Sequence, residues 1–336
     1  KMQNGNAKIK NSTTYYLPPT TYHSSEPVAT RKAYGDALVR MYPKYPNMVV
    51  LDGEVSNSTY AEIFKKAYPE RYLEMYIAEQ NMVGAALGLS RRGQLPFVST
   101  FAAFFTRAFD QIRMGQYSDA NIKFCGSHAG VSIGEDGPSQ MGLEDLALFR
   151  TLLGSVVLYP CDAISTEKLV EETAKHRGST YLRTTRMATP IIYQPSDEFP
   201  IGGSKVLKSS AKDVVTVVAA GVTVFEALQA HDELTRQGIA IRVIDCYSVK
   251  PIDIEALRQA ARETNAIITV EDHFAEGGLG EAVASALADH PVPVRILAVR
   301  KLPTSGKPQE LLDFEGISST TIVAKVREVT AVPRGK

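Results

Sequence analysis

The chain has 336 residues, 44% apolar and 22% charged, which is ordinary globular composition with room for roughly two domains of about 150 residues. Its 37 Lys and Arg balance 37 Asp and Glu, so the zero net charge argues against a bulk grip on nucleic acid or an anionic membrane and leaves room for a local basic pocket. No run approaches the ~18 apolar residues of a membrane span, no signal-peptide pattern opens the chain, and three scattered cysteines without a C-x-x-C predict reduced thiols in a cytosol-like compartment.

Residues 1–26 are polar and rich in Asn, Ser, Thr and Pro, and read as a linker or N-terminal arm. Lys1 rather than Met opens the sequence, which suits a fragment or a processed product. From Thr30, taken as a helix N-cap, the pattern becomes regular. "RKAYGDALVRMY" predicts a helix, "NMVVLDGE" a buried strand, "STYAEIFKKAY" a helix and "RYLEMYIAE" a strand. There follow helix "QNMVGAALGLSRRG", strand "LPFVSTF", helix "AFFTRAFDQIRMGQYS" and strand "NIKFCGSH". Helix "LEDLALFRTL", strand "SVVLYPCD", helix "STEKLVEETAKHR" and strand "STYLRTTR" complete the first set. The segment 194–203, "QPSDEFPIGG", breaks the rhythm and predicts a boundary between domains at 27–195 and 196–336. Beyond it, "DVVTVVAAG", "IAIRVIDCYSV", "AIITVEDHF" and "VPVRILAVR" predict strands, with helices near 223–237, 253–263 and 280–289. Alternation of strand and helix implies an α/β fold, two consecutive three-layer domains with mostly parallel sheets covered on both faces.

Open sheets bind ligands beyond the carboxyl ends of their strands. In the first domain those ends carry "LDGEVSNS", "IAEQ", "STFAAF" and "CGSHAGVSIGEDGPSQ", a richer chemistry than in the second. The loop 126–140 sets His128, Glu135, Asp136 and Gln140 among four glycines, suited to bring backbone close to a ligand and equally compatible with a surface loop. Phe101, Phe104, Phe105 and Phe109 lie near helical spacing, as a core stripe or, in the first two, a platform for a planar ring. "EGGLGEAV" reads as a tight turn or a helix N-terminus that could hold an anion. No G-x-G-x-x-G, P-loop or H-E-x-x-H occurs, and the six histidines show no metal spacing. Glu79 is an ionisable acid at a strand-to-helix junction between apolar runs, either a structural cap or a functional group.

Taken in order, "ATRKAYGDAL", "LDGEVSNST", "YIAEQNMVG", "PFVSTFAAFFTRAFDQIRM", "GSHAGVSIGEDGPSQM", "LEDLALFR", "LRTTR", "VEDHFAEGGLGEAV" and "SGKPQELL" resemble transketolase, a thiamine diphosphate family. The resemblance runs from about Thr30 to near the C-terminus and covers the pyrimidine-binding and C-terminal domains. The family's diphosphate and metal signature, G-D-G followed by Asn, does not occur. It follows from the resemblance that Mg2+ or Ca2+ would be held by a diphosphate-binding domain or partner chain, and that this chain contributes no metal ligands.

The resemblance makes Glu79 the cofactor-activating acid, whose burial would raise its pKa and keep a proton available beside an aminopyrimidine nitrogen. It makes Phe101 and Phe104 the ring platform and Gln140 a polar neighbour of cofactor and substrate. Arg31, Ser58 and Arg186 would hold a sugar phosphate, and His128 and Asp136 would reach hydroxyls nearer the reacting carbon. Arg107 stands where some relatives have Tyr and is left outside this set, and Glu54 replaces a shorter Asp. The implied activity is transfer of a two-carbon ketol unit between sugar phosphates in the cytoplasm, as the C-terminal part or small subunit of a homodimer or heterotetramer. Deoxyxylulose-phosphate synthase and the beta subunit of a 2-oxo acid dehydrogenase share the domain pair and the glutamate. A non-catalytic interaction module that kept the fold is the reading from another class.

Overall fold

The structure, a computed structural model, describes Tyr22 and residues 26–331. Apart from Tyr22 and Glu26, the expected N-terminal arm lies outside the described residues. The first segment runs β1 Val28–Ala29, α1 Thr30–Met41, β2 Met48–Asp52, α2 Ser56–Thr59, α3 Ala61–Ala67, β3 Tyr72–Glu74, α4 Glu79–Arg91 and β4 Leu95–Phe101. It continues with α5 Phe109–Tyr117, β5 Lys123–Ser127, α6 Asp145–Arg150, β6 Val156–Leu158, α7 Ala163–Lys175, β7 Thr180–Arg183 and β8 Ala188–Thr189. The second comprises β9 Lys205–Lys208, β10 Val215–Ala219, α8 Thr223–Arg236, β11 Ile241–Asp245, β12 Ser248–Lys250, α9 Ile254–Glu263 and β13 Ile267–Phe274. It closes with α10 Leu279–Ala286, β14 Val294–Val299, α11 Pro308–Glu315 and α12 Ser319–Ala331.

A seven-stranded sheet has the order β12-β6-β7-β5-β4-β2-β3, and a five-stranded sheet the order β14-β13-β10-β11-β9. Within each, all pairs are parallel except the edge strands β12 and β9, which run antiparallel to β6 and β11. Alternate residues of a strand face opposite sides, and here both sides are covered: Met48 and Val50 enter one apolar layer, Val49 and Leu51 the other. Each layer takes residues from both sheets.

Four expectations are corrected. Thr30 is the first helical residue and caps nothing; its hydroxyl instead accepts from the Thr185 amide at 2.9 Å, tying α1 to the end of β7. The helix expected over "STYAEIFKKAY" is broken at Tyr60 (φ 61°), where α1 passes so close that a Cβ on Gly35 would strike the Tyr60 carbonyl. The strand expected to reach Glu79 stops at Glu74, because Tyr76 takes a left-handed turn (φ 54°) and Glu79 becomes the first residue of α4. "IAIRVIDCYSV" is two strands: β11 stays in the second sheet, and after Cys246 and Tyr247 the chain crosses to add β12 to the edge of the first. The crossing is held by the Tyr159 amide donating to the Tyr247 carbonyl at 2.7 Å.

Candidate functional site

The site lies at the carboxyl edge of the first sheet, where parallel strands deliver their following loops side by side. Phe101 ends β4, His128 follows β5, Ser58 follows β2 within α2, and Arg186 lies three residues past β7. Arg31, in the first turn of α1, comes to the same edge because Thr30 is bonded to Thr185. Together with Asp136, Gln140 and Asn57 these side chains line one cavity of about 450 Å³. Seven of the nine side chains singled out from sequence therefore meet in one place; Glu79 and Phe104 do not line it.

The two guanidiniums are differently held. Arg31 donates from Nη1 to the Ser58 carbonyl at 2.8 Å and lies over the Tyr60 ring, while its buried Nε has no acceptor among the described residues. Burial pulls its pKa below the usual guanidinium value. Arg186 is 38% exposed; its Nη1 donates to the Ile133 carbonyl at 3.0 Å and pairs with Glu135 and Asp136, each at 3.5 Å. His128 is buried in a left-handed conformation (φ 55°), with Nδ1 2.9 Å from the Ser127 hydroxyl and Nε2 3.7 Å from Asp136. Burial, reinforced by the Arg31 and Arg186 cations, holds its pKa down to about 3, so the imidazole is neutral at neutral pH. A neutral ring between two cations is a hydrogen-bonding group, not a third charge. The Gln140 side chain accepts from the Ser139 hydroxyl.

Residues 102–108 are not the expected α-helix but a 3₁₀-helix. Its three-residue period stacks positions i and i+3, which puts Phe104 and Arg107 in line with Phe101 at its start. The result is a continuous stack. His128 lies against Phe101 (centroids 3.9 Å, 13°), Phe101 against Phe104 (5.1 Å, 16°), and the Arg107 guanidinium 4.4 Å from the Phe104 centroid. Phe105, on the other face, is fully buried among Phe124, Phe149 and Tyr181, so the four phenylalanines divide between platform and core.

Glu79 is 3% exposed, and Arg107 Nη1 donates to its Oε1 at 2.6 Å. Arg107 thus links the acid to the end of the aromatic stack, a role absent from the residues chosen by sequence. Its i+3 spacing from Phe104 is visible in the sequence but fits the expected α-helix as well, so it does not single Arg107 out. Asn57, within "SNST", was also missed; nothing distinguishes it in the sequence from its neighbours.

The donors at the start of "LGEAV" are already used. Glu271 accepts from the Gly280 amide at 2.9 Å and from the Leu279 amide at 2.5 Å, so the N-terminus of α10 holds an internal carboxylate in place of the external anion that "EGGLGEAV" could offer to bind. Among the described residues no three His, Cys, Asp or Glu side chains are grouped to hold a metal ion. No helix among the described residues is long and apolar enough to cross a membrane.

Comparison with known proteins matches most of the chain. The family model described as "Transketolase, pyrimidine binding domain" matches residues 26–191, and "Transketolase, C-terminal domain" matches residues 204–322. Transketolase-like protein 2 of Mus musculus is 53% identical over 324 residues, 96% of this chain and 52% of the relative. Transketolase of Homo sapiens is 51% identical over 310 residues, 91% of this chain and 50% of the relative. The chain spans about half the length of these curated relatives. A solved structure described as "Split gene transketolase, inactive beta4 tetramer" superposes with a TM-score of 0.83 at 42% identity, covering 92% of this chain and all of that one.

Proposed function

The chain belongs to the transketolase family, and on that premise we propose that it supplies the pyrimidine-side half of a thiamine diphosphate site and the sugar-phosphate pocket of a cytoplasmic ketol transferase of the pentose phosphate pathway. A diphosphate-binding domain or subunit, joined in a homodimer or heterotetramer, supplies the metal-bridged remainder with Mg2+ or Ca2+.

The residues present suit that half. The stacked Phe101 and Phe104 rings offer an apolar platform for a planar heterocycle. Glu79 offers a sheltered carboxyl whose Oε1 alone is engaged, by Arg107, among the described residues. When bound, thiamine diphosphate supplies a carbon nucleophile and an electron sink for cleaving the ketose. Glu79 then holds or moves a proton at its carboxyl oxygen, and α4, which begins at that residue, fixes its position.

The observation that carries the substrate assignment is the convergence of Arg31 and Arg186 on one cavity beside a neutral imidazole. Guanidiniums match phosphate oxygens with paired N–H groups, and an uncharged His128 with Asp136 and Gln140 matches sugar hydroxyls. Ser58 places Arg31 through its carbonyl and lines the pocket itself. The chain's three cysteines are all buried and free, in keeping with a reducing compartment.

The test is reconstitution. The chain alone, with saturating thiamine diphosphate and magnesium, is expected to show negligible transfer from a ketose phosphate to an aldose phosphate. Activity is expected on adding a cognate diphosphate-binding chain, saturating near stoichiometry. Half a site makes too few contacts to bind the cofactor tightly once association entropy is counted. Robust turnover by this chain alone, or none by the mixture, refutes the reading.

A further inference from the structure

The loop that carries Asp136 and Gln140 is held largely from outside the first sheet. Asp272, near the end of β13 in the second sheet, is fully buried. Its Oδ1 accepts from the Val131 amide at 2.7 Å and its Oδ2 from the Ser132 amide at 3.1 Å. Gly130 (φ 84°) makes this approach possible, since a Cβ there would overlap the Asp272 carboxylate. At the loop's far end, Arg183 Nη2 donates both to the Gly142 carbonyl and to the Asp272 carbonyl, each at 2.9 Å. Between the two ends, Pro308 and Ser305 of the second segment pack against Gly134 and Gly137.

The residue after the clamped Ser132 is Ile133, and its carbonyl is the acceptor of Arg186 Nη1 at 3.0 Å. Two hydrogen bonds joined by the backbone of Ser132 and Ile133 therefore link the second sheet to a guanidinium in the pocket: Asp272 carboxylate to the Ser132 amide, and the Ile133 carbonyl to Arg186. We propose that Asp272 is a positioning residue for recognition of the substrate's phosphate, through which the C-terminal domain sets where Arg186 stands. The inference rests on the sugar-phosphate reading of the pocket and deepens it. A carboxylate suits the task because it accepts two adjacent backbone N–H groups at once. An isosteric amide offers one acceptor and turns an N–H toward the other donor, a mismatch in a buried site.

The test uses the full chain, because both arginines of the pocket belong to it. A ketose phosphate and the corresponding unphosphorylated ketose are titrated calorimetrically into wild type, Asp272→Asn and Gly130→Ala, and amide hydrogen exchange is followed in the same proteins. Gly130→Ala attacks the same contact from the loop side, so the test does not depend on one variant folding. The expected result is a dissociation constant for the ketose phosphate about 3- to 5-fold weaker in the variants, less than the loss of a whole charge-assisted contact. Affinity for the unphosphorylated ketose stays within about twofold, and exchange accelerates over residues 130–137 while β5 and β13 keep their protection. Equal weakening for both ligands, or unchanged exchange over 130–137, overturns the inference, since Asp272 would then be structural only. Unchanged discrimination in the variants overturns it while leaving the pocket reading intact. A wild-type chain that does not prefer the phosphorylated ligand overturns the pocket reading and this inference with it.

Discussion

Replacing Arg186 by Ala removes a half-exposed cation from the pocket and leaves the other, Arg31, in place. A hydrogen bond to a charged group contributes about 1.5–3 kcal/mol, which at about 1.4 kcal/mol per tenfold is roughly 10- to 100-fold in affinity. The lower end applies here. Arg186 is 38% exposed and already pairs with Glu135 and Asp136 at 3.5 Å, so part of its field is screened by solvent and neutralised locally. Arg31 is more deeply placed, with an acceptor for Nη1 and none for Nε. Arg31→Ala should therefore cost more than Arg186→Ala, by several-fold. On the proposed function, the assay compares Michaelis constants for a phosphorylated and an unphosphorylated ketol donor in the chain reconstituted with a cognate diphosphate-binding chain. For Arg186→Ala, the phosphorylated donor should show a rise of about 10-fold, while the unphosphorylated donor and both turnover numbers change little. Raising the ionic strength should weaken the phosphorylated donor in wild type more than in the variant. Equal losses on both donors would refute the argument, because Arg186 would then act through the shape of the 133–136 loop and not through phosphate.

Three further outcomes are expected. Glu79→Gln should keep the fold and slow proton–deuterium exchange at the thiazolium carbon of the reconstituted enzyme by on the order of 10², the contribution of a positioned acid–base group; an unchanged rate by NMR would remove Glu79 from that role. Arg183→Met should destabilise the chain by about 3–5 kcal/mol in urea denaturation, since Asp145, bonded to Arg183 Nε at 2.8 Å with both groups fully buried, would keep a charge with no cation beside it. His273, fully buried, has Nδ1 2.6 Å from the Phe274 carbonyl and Nε2 3.4 Å from the Ala147 amide, a pairing that only the neutral ring satisfies. Burial holds its pKa down to about 4. Below the unfolded value of about 6.5 the unfolded chain binds a proton that the folded chain refuses, so this group lowers stability as pH falls from about 6.5 toward 4. His273→Gln should flatten that part of the stability–pH profile, and an unaltered slope would show that the ring titrates alike in both states.

Much of this protein is written locally. The runs that become β2, β4, β10 and the first half of β13 are largely apolar because both faces of their sheets are covered, and that signal needs no knowledge of neighbours. The site was legible for the same reason: parallel strands end at one edge, so residues just past β2, β4, β5 and β7 had to converge. Motif resemblance then singled out Arg31, Ser58, Phe101, His128, Asp136, Gln140 and Arg186, which line one cavity. What the sequence could not disclose depends on contacts distant along the chain. Cys246 and Tyr247 divide one apolar run between two sheets because the edge of β6 is available to pair, a fact about residues some 90 positions earlier. The break at Tyr60 is imposed by the closeness of α1 across Gly35, and the shortened β3 by a turn at Tyr76. Arg107 meets Glu79 only because residues 102–108 wind as a 3₁₀-helix, a choice between helical periods that amino-acid pattern does not resolve. Asp272 reads in sequence as part of a second-domain strand; only the packing of that strand's end under the 130–142 loop brings its carboxylate to the Val131 and Ser132 amides. Local pattern specifies which segments can be buried, while the partners of their polar groups are set by which segments come to lie beside them.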